Sequence, residues 1–210
     1  MELSDIIRSI ETRISVVDET RERLLKDTRD IIRTSKEVIL RVAKGDLNAE
    51  SNNVNKIMNQ VMNVINIAKN VPEVYYSGIL DGPLAEYAEA MILYNLVKQN
   101  KYPTPEELGI YDVPYLLGLG DVVGELRRIV LDKLRLEKYK EAEALFNRME
   151  EIYEVLSTLI IPNALATGLR PKVDVARKLV DATRSDLFLA QVKRGFINDE
   201  DNEENKRELH

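Results

Sequence analysis

Apolar residues recur along the N-terminal stretch in steps of four and three: Leu3, Ile7, Ile10, Ile14 and Val17, then Leu24, Ile31, Val38 and Val42. That spacing predicts one helix with a heptad-like seam, interrupted by Arg21, Thr28 and Ser35 and stopped by Gly45. Spanning roughly 4–44 at ~1.5 Å per residue, it would be about 60 Å long, longer than a compact domain of this size is wide. It must therefore pack against partners along its length, in its own chain or in another subunit.

A second helix is predicted over 49–70, burying Val54, Ile57, Val61, Ile65 and Ala68 and ended by Pro72. Its many asparagines are poor helix formers, so tertiary packing must hold it. A third starts near Pro83 and runs to about Asn100. "PTPEEL" opens a short helix capped by Thr104, and "YDVPYLL" opens another with Asp112 as cap and Pro114 in the first turn. Two more follow, over about 139–161 and 171–193. No alternating strand pattern occurs, which predicts an all-α, single-domain bundle of six or seven helices over 1–194. The segment 195–210 has no apolar face and is expected to be a disordered acidic tail.

Composition narrows the chemistry. The 210 residues include no cysteine, and the single histidine is His210, which removes thiolate, imidazole-metal and Ser-His-Asp sites together. No window approaches the ~18 apolar residues of a membrane span, and the expectation is a cytoplasmic protein. The net charge of -6 argues against a polyanionic partner, but it is uneven. Six acids and two bases in 199–210 account for -4, which leaves about -2 for the body and room for a local basic lining.

Two helices carry carboxylates where a core or a packed stripe is expected. In "GPLAEYAEAMILYNLVK", Asn95, Lys98 and Gln99 share one side, and Glu86 and Glu89 fall opposite among Leu93, Leu96 and Val97. In "YLLGLGDVVGELRR", Asp121 and Glu125 share a narrow polar stripe with Arg128 and Asp132. Gly118, Gly120 and Gly124 each cost that helix roughly 1 kcal/mol relative to alanine, and such glycines mark close approach by a neighbouring helix or a ligand. If the helices pack together, four carboxylates converge and need cations. All-oxygen ligands favour Mg²⁺ or Mn²⁺, which polarise phosphoryl oxygens and acidify bound water. The alternative stays open: Glu86 and Glu89 met by arginines of another helix, and Glu125 paired with Arg128.

The same segments resemble the translin family, and specifically its catalytic branch, translin-associated factor X. "RLLKDTRDIIRTSKEVIL", "LAEYAEA", "YLLGLGDVVGELRR" and "VKRGF" carry the resemblance in order over most of the chain, and point to a prokaryotic, archaeal homologue. In that branch the motif acids hold a divalent cation and cut RNA. The resemblance thus implies Glu86, Glu89 and Asp121 as catalytic metal ligands. Glu125 is a further ligand, although the non-catalytic translin branch keeps it too. The basic, histidine-bearing segment with which translin holds nucleic acid is replaced here by "YYSGILDG", so RNA contact is assigned instead to Arg29, Arg33, Lys36 and Arg128.

The implied protein is a metal-dependent endoribonuclease acting on single-stranded or short duplex RNA, with single-stranded DNA as a further ligand, inside a homo-oligomeric, octameric shell. Two rivals stand beside it. One is an all-α Mg²⁺-dependent nucleoside triphosphate pyrophosphohydrolase, which also uses paired carboxylates on helices. The other is a non-catalytic nucleic-acid-binding oligomer like translin, with structural acids.

Overall fold

The computed structural model describes residues 2–46 and 51–207, with side chains over 2–46 and 52–193. Among the described residues there are eight helices and no strand: α1 (Leu3–Ala43), α2 (Ser51–Lys69), α3 (Pro72–Tyr75), α4 (Asp81–Gln99), α5 (Pro105–Leu108), α6 (Asp112–Arg135), α7 (Tyr139–Ser157) and α8 (Leu169–Arg207). The predicted all-α architecture with a long first helix is therefore found. The extra element relative to the sequence reading is α3, a single turn that Pro72 opens after ending α2. Of the expected acidic tail, 195–210, the side chains and residues 208–210 lie outside the described part, and the backbone of α8 is helical to Arg207.

The chain divides into two compact units, Met1–Leu119 and Gly120–His210. In the first, α1 packs against α2 and α4. The α1 seam is used only from Leu24 onward: Leu24, Ile31, Val38 and Val42 are buried, whereas Leu3, Ile7, Ile10 and Ile14 remain exposed. Two of the three seam interruptions turn out to be core residues. Thr28 and Ser35 are buried, and their hydroxyls donate to the carbonyls of Leu25 (3.2 Å) and Ile31 (2.9 Å), so neither leaves a polar atom unsatisfied. All five predicted inward positions of α2 are buried, which is how packing overrides its weak propensity.

Helix α4 is buried nearly all round, with Tyr87, Ala88, Ile92 and Leu93 fully inaccessible. A helix apolar on every side belongs at the centre of its unit. Burial raises the pKa of the Tyr87 phenol above its ordinary value, and its hydroxyl donates to the Leu108 carbonyl (3.3 Å), tying α5 to α4. Asn100 ends α4 in the left-handed conformation (φ 54°). A reciprocal capping box starts α5, as expected from Thr104: its hydroxyl accepts from the Glu107 N–H, and the Glu107 carboxylate accepts from the Thr104 N–H.

The second unit joins the rest of α6 to α7 and α8. Val122, Val123, Leu126, Ile129 and Val130 of α6 are buried, as are Ala142, Phe146, Met149, Ile152 and Leu156 of α7 and Ala176, Val180, Thr183 and Leu187 of α8. The α7 and α8 sets advance by three and four residues, and the α6 set widens the same stripe with the adjacent pairs Val122–Val123 and Ile129–Val130, as expected of packed helices. Arg127 fastens α6 to α8 by donating to Thr183 Oγ1 (2.6 Å) and pairing with Asp186 (2.9 Å). This arginine, beside the Arg128 assigned to RNA, is structural.

Candidate active site and nucleic-acid surface

In the first unit, Glu86 and Glu89 lie one turn apart on α4. Glu89 is buried, at 9% exposure, and Glu86 is half-buried. The start of α6 crosses this helix where Gly118 stands. A Cβ there would lie 2.5 Å from the Ala85 carbonyl oxygen and 2.7 Å from both Ala88 Cβ and the Glu89 nitrogen. The glycine is thus demanded by the backbone of the very turn that carries the two glutamates.

In the second unit, Asp121 receives Lys172 at 2.5 Å on both carboxylate oxygens. Glu125 faces Arg128, whose Nη2 stands 2.7 Å from Oε2. The direction is wrong for a hydrogen bond, so Oε2 is charge-compensated yet buried without a hydrogen-bond partner in the chain. Both pairs are half-exposed, a setting in which ion pairs contribute about 0–1 kcal/mol. Glu125 therefore has the arginine partner that the alternative reading named.

A cleft of about 230 Å³ opens beside Asp121 and Lys172. Gly120 and Gly124 form part of its wall. A Cβ on Gly120 would meet the Lys172 stem at 3.1 Å, whereas one on Gly124 would find only Leu179 Cδ1, at 3.8 Å. At about 30 Å³ per water the cleft has room for a hydrated ion or one phosphate group, and less than the 300 Å³ or more of an ordinary small-molecule pocket.

The donor chemistry fits a hard divalent cation: the candidate ligands are all carboxylates, one is buried, and one oxygen lacks a hydrogen bond. Among the described residues, however, no three acidic or histidine side chains stand close enough to share an ion. Within the second unit the physical reason is plain, because each acid has turned to a cationic side chain of its own unit.

Of the basic residues assigned to RNA, Arg29, Arg33 and Lys36 are exposed on one side of α1, and Arg33 leans on Asp30 at 2.9 Å. Lys26 extends this stripe by one turn and is also exposed. Continuing the i, i+3, i+7 spacing backward would have found it. Lys172 had no such signal, since it lies 51 positions from the aspartate it meets.

The translin family model matches residues 19–183. An uncharacterized protein of Methanocaldococcus jannaschii, MJ0175, is 34% identical over 180 residues, covering 84% of this chain and 79% of its own. Among solved structures, a complex of AfC3PO with duplex RNA is similar at TM-score 0.82 and 28% identity, covering 90% of this chain and 97% of that one. The crystal structure of AfC3PO is similar at TM-score 0.83 and 29% identity, covering 90% and 98%. Apo-NeC3PO, at 24% identity and TM-score 0.80 over 90% and 99%, shares the fold.

Proposed function

The chain belongs to the translin family, and from that premise we propose that it is a metal-dependent endoribonuclease cutting single-stranded or short RNA within a homo-oligomeric shell. The observation that carries this reading is the pair Glu86 and Glu89 on one face of the central helix, with Glu89 buried. Glu86, Glu89 and Asp121 would be the ligands of Mg²⁺ or Mn²⁺, with Glu125 as a further donor. Bound there, the cation would supply Lewis-acid polarisation of the phosphoryl oxygen and a more acidic water.

The chain's own residues do the rest. The rigid α4 turn, locked under Gly118, fixes the two glutamates relative to each other. The exposed stripe of Lys26, Arg29, Arg33 and Lys36 supplies cationic contacts for phosphates, which position a strand without reading its sequence. Hydrolysis by water leaves 5′-phosphate and 3′-hydroxyl ends. Support for RNA as the ligand comes from the AfC3PO complex with duplex RNA. Support for assembly comes from the apolar residues that the chain leaves exposed on α1 (Leu3, Ile7, Ile14) and on α8 (Phe188, Leu189).

The test is incubation of labelled single-stranded RNA with Mn²⁺, Mg²⁺ or chelator, beside the Glu86→Gln, Glu89→Gln double variant. Cleavage should need metal and vanish in the variant, because glutamine keeps the shape and removes the charge. Metal-free cleavage giving cyclic 2′,3′-phosphate ends would refute the mechanism. A second reading, a non-catalytic RNA-binding shell, is favoured by the Asp121–Lys172 and Glu125–Arg128 pairs. RNA retained intact in every lane would establish it.

A further inference from the structure

Lys172 occupies a place that helix energetics disfavours. It lies in the first turn of α8, a helix whose first turn holds no acid, and a cation there opposes the positive end of the macrodipole. What holds it is Asp121, which it meets at 2.5 Å on both oxygens. The approach is built in: Gly120 lies against the Lys172 stem, where a Cβ would come within 3.1 Å. The pair borders the 230 Å³ cleft and is 30% and 35% exposed, so solvent ions reach it.

A lysine ammonium bridging both oxygens of an aspartate takes the coordination positions that a divalent ion would use. We propose that Lys172 is the exchangeable counter-ion of Asp121: the ammonium and a divalent cation compete for one carboxylate, and Lys172 thereby sets the metal concentration at which the site fills. This rests on the reading of Asp121 as a metal ligand. Lys172 is a positioning residue here, since it acts through Asp121.

The test is direct binding of Mn²⁺ without RNA, by calorimetry and by electron paramagnetic resonance of the free ion, on the full-length protein. Lys172→Met keeps the stem against Gly120 and removes the charge, and should tighten Mn²⁺ binding by up to about fivefold, the range in which partly exposed ion pairs act. Lys172→Arg restores a cation and should bind Mn²⁺ no more tightly than the unsubstituted chain. Asp121→Asn should lose the difference between lysine and methionine at position 172. Circular dichroism of each variant confirms that it is folded. Equal affinities for lysine, methionine and arginine at 172 would overturn the exchange while leaving a metal site in place. Failure of every protein to take up Mn²⁺ would overturn the metal reading itself, and the exchange with it.

Discussion

Replacing Gly118 by alanine is the sharpest test of how α6 meets α4. The new methyl would sit 2.5 Å from the Ala85 oxygen and 2.7 Å from Ala88 Cβ and the Glu89 nitrogen, against the ~3.5–4.0 Å at which carbon pairs attract best. Two of those atoms are helix backbone and the third is a methyl fixed to it, so none can rotate away. The helices must part by about 1 Å, an overpacking cost toward the upper end of the usual 1–3 kcal/mol. Alanine returns about 1 kcal/mol of helix propensity. The net loss is about 2 kcal/mol, or a fall of roughly 4–8 °C in Tm for a chain of this length.

Gly124→Ala is the built-in control, because its nearest neighbour is Leu179 Cδ1 at an ordinary 3.8 Å. There the propensity gain is unopposed, and Tm should rise by roughly 2–4 °C. The assay is thermal denaturation followed by far-ultraviolet circular dichroism at one fixed protein concentration, since assembly makes Tm concentration-dependent. If Gly118→Ala melts at or above the parent while Gly124→Ala behaves as expected, close approach to α4 is not what keeps glycine at 118. Under the proposed endoribonuclease function, cleavage of RNA should fall in Gly118→Ala and persist in Gly124→Ala, because the Glu89 nitrogen is among the atoms struck.

Three further outcomes follow from particular contacts. Arg29→Ala with Lys36→Ala should weaken binding of all single-stranded RNAs alike and flatten the log-affinity against log-salt slope by about 1.4, or ~0.7 per phosphate contact; an unchanged slope in filter binding would move RNA off α1. Ile10→Glu with Ile14→Glu charges the uncovered part of α1 and should lower the mass seen by light scattering without reducing helicity, since both residues are exposed in the single chain; an unchanged mass would clear this segment of an assembly role. The Lys101 hydrogen bond and the Thr104 N–H hold the Glu107 pKa below its ordinary value. Its contribution is therefore present above the unfolded glutamate pKa of about 4.3 and is lost as pH falls through the lower, folded value. Acid titration of stability should show a shallower loss in Glu107→Gln, and an identical profile would refute the assignment.

Periodicity alone was enough for the helices, because the 3.6-residue repeat is a local property of the chain. The five inward positions of α2, the Thr104 cap of α5 and the arrest of α1 at Gly45 all follow from neighbours within a few residues. The motif acids were legible for the same reason: Glu86 and Glu89 share a face by spacing. Four things depended on distant contacts. The α1 seam is buried from Leu24 on and bare before it, although the same spacing runs through both halves, because only there do α2 and α4 cover it. Three helix glycines that look alike in sequence differ in kind: Gly118 is pressed by α4 backbone, Gly120 by a lysine stem, and Gly124 by nothing tight. Arg127 and Arg128 are adjacent, yet one is tied into α8 and the other pairs with Glu125 on the surface of its own helix. Lys172 reaches Asp121 from 51 residues away, a meeting that no local pattern encodes, because a charge is satisfied by whichever partner the packing of helices brings within reach.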